Sequence, residues 1–399
     1  MSDRQRTLPT ASEYAHHFGI DPDLVYLNHG SFGACPKQVL DAQSTHRARI
    51  ERDAVRFYVH DLWSAMDRSR DALAPVVGCA PEDLVFVNNA TSGVATVLSN
   101  LRTTLGDEIV VTNLEYTACN NNILRHAEQR GASVKFAQIP WPIESENQIV
   151  DAIMEQLSVR TKLVMFSLIT SATGVVFPAE RLIRELKERG IETLLDAAHG
   201  PGCIPMHIDQ WGAAYTTGNG HKWLCSPKGT AFLHVRKDLQ EDFRPLVLSN
   251  DAQQLEIASA KTDRSAFNHE FDYAGTDDAS GRMTIADAID TLSSIFPGGI
   301  DAIMAHNHKL CLDARAMLCD ALDVPAPCPE SMIGPLATIP LPAGAPDAPA
   351  LKAALLDDWK IQIPVWGTPS GTAIRISAQI YNSSAQYEYL ARALREICG

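Results

Sequence analysis

From about residue 80 to about residue 235 the chain repeats one pattern that leaves few folds open: a short β-branched run, an amphipathic stretch, then another run. The runs are Leu84-Val85-Phe86-Val87, Ile109-Val110-Val111, Val134-Lys135-Phe136, Leu163-Val164-Met165-Phe166 and Thr193-Leu194-Leu195. Such runs suit strands covered on both faces, and strands alternating with helices lie side by side in parallel. The region therefore reads as an α/β domain on a mostly parallel sheet flanked by helices. One intervening helix is well marked: Pro178 suits a first turn, Leu182, Ile183 and Leu186 share a face, Glu180 stands four before Arg184, and Gly190 ends the pattern. In sheets of this kind ligands gather beyond the carboxyl ends of the strands.

The rhythm stops at 236. Residues 236–280 are polar and rich in Asp, Gln and Ser, Ile285–Ile295 reads as a helix, and roughly the last hundred residues read as a smaller α+β domain with proline-rich loops at Val324–Pro329 and Leu341–Pro349. The expected division is an N-terminal segment, 1–25, packing with the small domain, then a large domain, 26–280, and a small C-terminal domain, 281–399. A chain of 399 residues, 45% hydrophobic, can bury the core this requires. Its net charge of −14 and lack of a dense basic run make nucleic acid a poor partner and small molecules the better expectation. The charged start, residues 1–10, is followed by no apolar stretch of signal-peptide length, and no window has the length of a membrane span, so the reading is cytoplasmic. Nine cysteines without a C-x-x-C pair fit neither a disulfide framework nor a structural zinc site, and no metal is expected.

Three segments carry chemistry. After Val85-Phe86-Val87 comes Asn88-Asn89-Ala90-Thr91-Ser92-Gly93, with Val94, Val97, Leu98 and Leu101 at helical spacing, a helix N-terminus whose free N–H groups attract phosphate. Taken alone it is an ordinary N-cap by Thr91 or Ser92. Asp196 ends an apolar strand with His199 three residues on, and a carboxylate there can keep a heterocyclic nitrogen protonated or merely cap the next element. Gly218-Asn219-Gly220-His221-Lys222-Trp223 sets a lysine among glycines and beside an aromatic residue, where desolvation favours imine chemistry, although most lysines are surface lysines.

In order, Asp196-Ala197-Ala198-His199 and, with Lys222 26 positions after Asp196, Gly218 to Trp223 resemble the cofactor site of class V aminotransferase-fold enzymes, which are fold-type I proteins dependent on pyridoxal 5′-phosphate (PLP). Asn28 to Gly33, Ala90 to Gly93, Glu115-Tyr116, Thr170-Ser171, Gly275-Thr276 and Arg375 to Asn382 match in the same order, so the resemblance spans nearly the whole chain. The Leu27-Asn28-His29-Gly30-Ser31-Phe32-Gly33 opening and the Arg375-Ile376-Ser377 ending with Tyr381-Asn382 resemble the isopenicillin N epimerase-like branch, which also contains the carbon–sulfur lyases of ergothioneine synthesis.

That resemblance implies a fold-type I large domain and a smaller C-terminal one, with Lys222 carrying PLP as a Schiff base and moving protons at Cα. Asp196 would pair with the pyridine nitrogen and His199 lie beside the phenolic oxygen. Thr91, Ser92 and His221 would hold the phosphate, Asn219 and Thr170 would join the cofactor set, and Tyr116 would cover the ring face. Thr276 would reach the phosphate from a second subunit, which makes a homodimer the expected assembly. Arg375 would clamp the substrate carboxylate, the alternative being a structural ion pair, and Asn28 would stand near the entrance. Leu168 occupies a position where epimerase-like relatives are expected to carry histidine. The pocket walls would come from loops such as 243–275 and 364–372.

Activation of a Cα–H bond has several outcomes. Epimerisation or racemisation through Lys222 is the leading expectation, with β-elimination from a cysteine conjugate or its sulfoxide, Tyr116 serving as acid, as the runner-up and transamination as a third. A desulfurase needs a nucleophilic cysteine shortly before the arginine, and Ile361–Ile374 contains none, while Cys328 lies in Pro325-Ala326-Pro327-Cys328-Pro329. A PLP-containing regulatory protein without turnover is the alternative from another class, against which the full set Asp196, Lys222 and Arg375 argues.

Overall fold

A computed structural model describes residues 7–249, 252, 264–368 and 371–399. The charged residues 1–6, positions 250–251 and 253–263 of the polar segment, and 369–370 of the second wall loop lie outside the described residues.

The apolar runs become β1 (Leu84–Val87), β2 (Glu108–Thr112), β3 (Ser133–Ala137), β4 (Thr161–Ser167), β5 (Glu192–Ala197), β6 (Tyr215–Asn219) and β7 (Ala231–Val235). They form a seven-stranded sheet of order β1-β7-β6-β5-β4-β2-β3. Only β7 runs against its neighbours, so the sheet is mostly parallel as expected. Alternation along each strand sorts side chains to two faces. Leu84, Phe86, Val110, Val164, Phe166 and Leu195 join one apolar cluster, and Val85, Val87, Ile109, Val111, Leu163 and Leu194 join the other.

Helices cover both faces. We label α1 (Lys37–Arg52), α2 (Leu62–Val77), α3 (Ala90–Asn100), α4 (Thr117–Arg130), α5 (Glu146–Met154) and α6 (Ala179–Lys187). α3 and α4 bring Val94, Val97, Leu98, Cys119 and Ile123 to the second cluster, whereas α2, α5 and α6 feed the first. α3 lies hard on β6 because Gly93 carries no Cβ: one built there would sit 2.1 Å from Thr217 Oγ1. Pro178 caps α6 from outside its first turn, and an ion pair on that helix joins Arg181 to Glu185 at 2.9 Å.

The helix expected at Ile285–Ile295 is longer, α7 (Ser280–Ile295), because Asp278 Oδ1 accepts from the Ser280 N–H at 2.9 Å and extends the start. It packs against α1 and α2. Beyond it come α8 (Gly299–Leu322), an antiparallel sheet of β8 (Leu336–Pro340), β9 (Val365–Thr368) and β10 (Gly371–Ser377) in the order β9-β10-β8, and α9 (Ser384–Cys398). The N-terminal segment ties to this region: Ser12 N donates to Tyr381 O at 3.1 Å, Ser383 Oγ to Thr10 O at 2.6 Å, and Val25–Tyr26 pairs in parallel with Ile361–Gln362. Among the described residues no helix is long and apolar enough to cross a membrane, and all nine cysteines are free thiols.

Candidate active site

The carboxyl ends of β4, β5 and β6 open into a cavity of about 620 Å³. Ser167, at the end of β4, stands in register with Asp196 on β5. Asp196 is 4% exposed, accepts from Ala198 N at 2.9 Å and from the Cys119 thiol at 3.3 Å, and burial raises its pKa. Such a carboxylate, with one amide and one thiol for partners, is suited to a cationic N–H.

Lys222 reaches the same cavity from the turn between β6 and β7, with Nζ 3.0 Å from His199 Nε2. The Trp223 indole N–H donates to His199 Nδ1 at 3.3 Å. His199 is held neutral by burial, so the proton of its ring sits on Nε2 and points at the lysine nitrogen as to a free amine. Burial pulls Lys222 from its ordinary 10.5 to about 8, with Asp196 opposing the shift. The free amine is the nucleophile, so its fraction grows as pH rises through about 8. An aromatic aldehyde should therefore form an imine, followed by absorbance as the difference between wild type and Lys222→Ala, with a midpoint near pH 8; a midpoint at 10.5 would show an ordinary, solvated lysine.

At the start of α3 the cap is Asn89 rather than Thr91 or Ser92. Its Oδ1 accepts from Ser92 N at 2.8 Å and Ser92 Oγ at 3.0 Å, because the chain is still extended at 89 and turns helical at Ala90. Thr91 and Ser92 occupy the first turn and line the cavity. Asn219 Oδ1 accepts from Ala90 N at 2.9 Å, fastening that turn to the end of β6. His221 also lines the cavity, and its Nδ1–H donates to Thr230 O at 2.9 Å; burial lowers its pKa to about 4, and an anion bound here would draw a proton onto Nε2.

Arg375 closes the opposite side. It is 4% exposed, Nη1 donates to Ser171 O, Nη2 to Ser31 Oγ at 3.2 Å, and Nε has no partner. Among the described residues no carboxylate pairs with it, and burial brings its pKa down to about 10. The structural ion pair is thus not what this arginine makes; a buried guanidinium without an acid is a place for an incoming anion. Tyr116, at the N-cap of α4, is 48% exposed and lines the mouth.

Three expected residues are elsewhere. Thr170 is fully buried, its hydroxyl bonded to Thr173 and to Val175 N; its neighbours Ile169 and Ser171 line the cavity instead, since successive extended residues face opposite ways. Asn28 stands behind the wall, with Oδ1 accepting from Ser31 Oγ at 2.5 Å. Thr276 is exposed, bonded to Tyr273 Oη at 3.1 Å, and does not line the cavity of its own chain. Leu168, the expected departure from histidine, packs in the core with Cδ2 3.0 Å from a Cβ built on Gly200, and so does not wall the cavity.

Sequence reasoning assigned no separate role to Ser31, Phe32 and Glu115, which stand there only as parts of matching segments, nor to Ser167 and Cys119. Glu115 lies beneath Asp196, its oxygens accepting from Ser167 Oγ at 2.5 Å and Thr112 Oγ1 at 2.6 Å, and burial raises its pKa to about 7. Its adjacency to Tyr116 was the available signal. For Ser31 and Phe32 the signal was Gly33: at φ +72° a Cβ there would stand 2.4 Å from His221 O and 2.8 Å from Lys222 O, so the turn His29–Phe32 is pressed against the lysine's own backbone.

The sequence profile of the family described as Aminotransferase class-V matches residues 25–390. The isopenicillin N epimerase of Amycolatopsis lactamdurans is 31% identical over 95% of this chain and 96% of its own length. The probable chloroplastic L-cysteine desulfhydrase of Arabidopsis thaliana is 28% identical over 96% of this chain and 84% of its own. Among solved structures, a lysine-to-alanine mutant of C-DES with glycine covalently linked to its PLP cofactor superposes with a TM-score of 0.79 at 17% identity, over 96% of this chain and 99% of that one.

Proposed function

This chain belongs to the class V aminotransferase family, and from that premise we propose that it is a PLP-dependent enzyme acting at Cα of an amino acid, with epimerisation or racemisation as its reaction. The donor set fits the cofactor. Lys222 supplies the amine, Asp196 a buried carboxylate for the ring nitrogen, and His199 a neighbour for the ring oxygen. Thr91, Ser92 and His221 around the start of α3, fastened by Asn219, offer a phosphate cradle, and Tyr116 an aromatic cover. Thr276, exposed and outside the cavity of its own chain, is available to the site of a second copy, which makes a homodimer part of the proposal. When bound, PLP supplies an electron sink for the pair left behind at Cα.

The observation that carries the reading is the arrangement of two proton-bearing groups. Tyr116 follows β2 and Lys222 follows β6, so they enter the cavity from opposite sides of β5 and Asp196. Lys222 Nζ takes the α-proton on one side, Tyr116 Oη returns one from the other, and Arg375 holds the carboxylate while this happens. The Arabidopsis relative, named for L-cysteine, favours a second reading, β-elimination of sulfur, here from a cysteine conjugate or its sulfoxide, in which Tyr116 Oη gives its proton to the departing sulfur. A persulfide route lacks its nucleophile: Cys328 is buried, with Arg315 Nη1 3.7 Å from its sulfur, and burial raises its pKa.

Tyr116→Phe tests the assignment. In deuterated water the epimerase should interconvert enantiomers, whereas the variant should still wash out the α-proton with retention while inversion falls about 10²-fold. Pyruvate and ammonia from a cysteine thioether select elimination. Inversion undiminished in the variant removes Tyr116 from the mechanism.

A further inference from the structure

Phe32 combines two properties that ordinarily exclude each other. It is a large apolar side chain, 69% exposed, yet it sits on a turn tied down by several long-range hydrogen bonds. His29 Nε2–H donates to Lys222 O at 3.0 Å and its Nδ1 accepts from Tyr381 Oη at 2.9 Å. Gly30 N donates to Ser377 Oγ at 3.1 Å, and Ser31 accepts from Arg375 Nη2. The backbone that carries the ring is thus held against the arginine and the lysine while the ring itself stays exposed, and it lines the cavity together with the half-exposed Tyr116. Scattered exposed apolar residues are normal on a surface, but an exposed aromatic carried on a hydrogen-bonded turn in a cavity wall is contact area awaiting a ligand.

The charges on the described wall of this chain also have assigned tasks. Among the described residues the charged side chains lining the cavity are Asp196, Lys222 and Arg375. In the reading above the first meets the heterocycle, the second is the base and the third takes the α-carboxylate. Among the described residues no cation is left for a carboxylate on the substrate's side chain, and no second carboxylate for an ammonium there.

We infer that Phe32 selects the substrate's side chain, and that the site takes amino acids whose side chain is neutral and apolar. The inference rests on the reading of the cavity as a PLP-dependent Cα site. It holds equally for epimerisation and elimination, since both begin by binding the same side chain. The ring packs against that side chain, so its loss weakens binding in proportion to the apolar surface the substrate presents.

The test is α-proton exchange by the holoenzyme in deuterated water, followed by proton NMR, with L-phenylalanine, L-norleucine, L-alanine and L-glutamate. None of the four has a β-leaving group, so exchange reports Cα chemistry under either reaction. Wild type should favour phenylalanine and norleucine over glutamate. In Phe32→Ala the ratio of kcat/KM for phenylalanine to that for alanine should fall about tenfold or more, through KM, and Phe32→Trp should restore it. A change in rigidity alone would depress both substrates together and leave the ratio where it was. An unchanged ratio, or a wild type that prefers glutamate, overturns the assignment of Phe32 and leaves the Cα chemistry standing. Absence of exchange with every amino acid overturns the underlying reading as well.

Discussion

Lys222→Ala should lower α-proton exchange by about 10³-fold or more and abolish imine formation with PLP, with the folded state intact. The size follows from the two tasks proposed for this nitrogen, capturing the aldehyde and carrying the proton. His199 is the nearest basic group, but its Nδ1 is engaged by Trp223 and burial holds its pKa well down, so it cannot take over. Stability should move the other way. A lysine whose pKa is pulled from 10.5 to about 8 by burial costs the folded state free energy while protonated; that cost is complete below about pH 8 and disappears as pH rises toward 10.5. At pH 7 the apo-variant should melt no lower than apo-wild type, and the advantage should shrink as pH rises through 8 to 10. Circular dichroism melts at pH 7 and pH 10 check this. A variant that melts well below wild type at pH 7 would mean that the lysine holds the fold, and lost exchange would then say nothing about catalysis.

What could be read in the sequence, and what could not, follows from the range of the forces involved. The strands were legible because their side chains are buried on both faces, leaving near-continuous apolar runs such as Leu163 to Phe166. Lys222, Asp196 and Tyr116 were legible because strand ends in a parallel sheet converge on one edge whatever the loops do. The cap of α3 was misassigned by two or three residues, since Asn89, Thr91 and Ser92 all have capping side chains and only the backbone turn at Ala90 decides among them. Thr170 was misread because a motif match carries no information about which way an extended residue faces. Arg375 meets Ser31 across 344 residues of sequence and Ser171 across 204, and such encounters are products of the finished fold. The raised pKa of Glu115 likewise exists only once folding has buried it beside Asp196, against the lowering effect of the Ser167 and Thr112 hydroxyls.

Asp196→Asn should cost about 10²- to 10³-fold in α-proton exchange, the range expected when a preorganised electrostatic partner is removed. Asparagine keeps the shape of the side chain and an oxygen for the Ala198 N–H, so the end of β5 should survive the change. What it lacks is the negative charge that, in the proposed reading, would hold a proton on the heterocyclic nitrogen and so make Cα acidic. The same charge acts on Lys222, where it raises a pKa that burial depresses. Removing it should let Lys222 fall further below about 8, so the midpoint of aldehyde capture should move to lower pH in the variant while exchange collapses. The neighbouring carboxyl should respond in the same direction: Glu115, raised to about 7 by burial with the Asp196 charge adding to it, should titrate lower once Asp196 is neutral. Opposite movements of aldehyde capture and exchange distinguish loss of a charge from loss of structure, since a disordered strand end would leave Lys222 solvated and send the capture midpoint up toward 10.5. If capture stays near pH 8 and exchange falls less than about tenfold, the field of Asp196 does not reach the reacting atoms, and the buried carboxylate is there for the architecture of β5 alone.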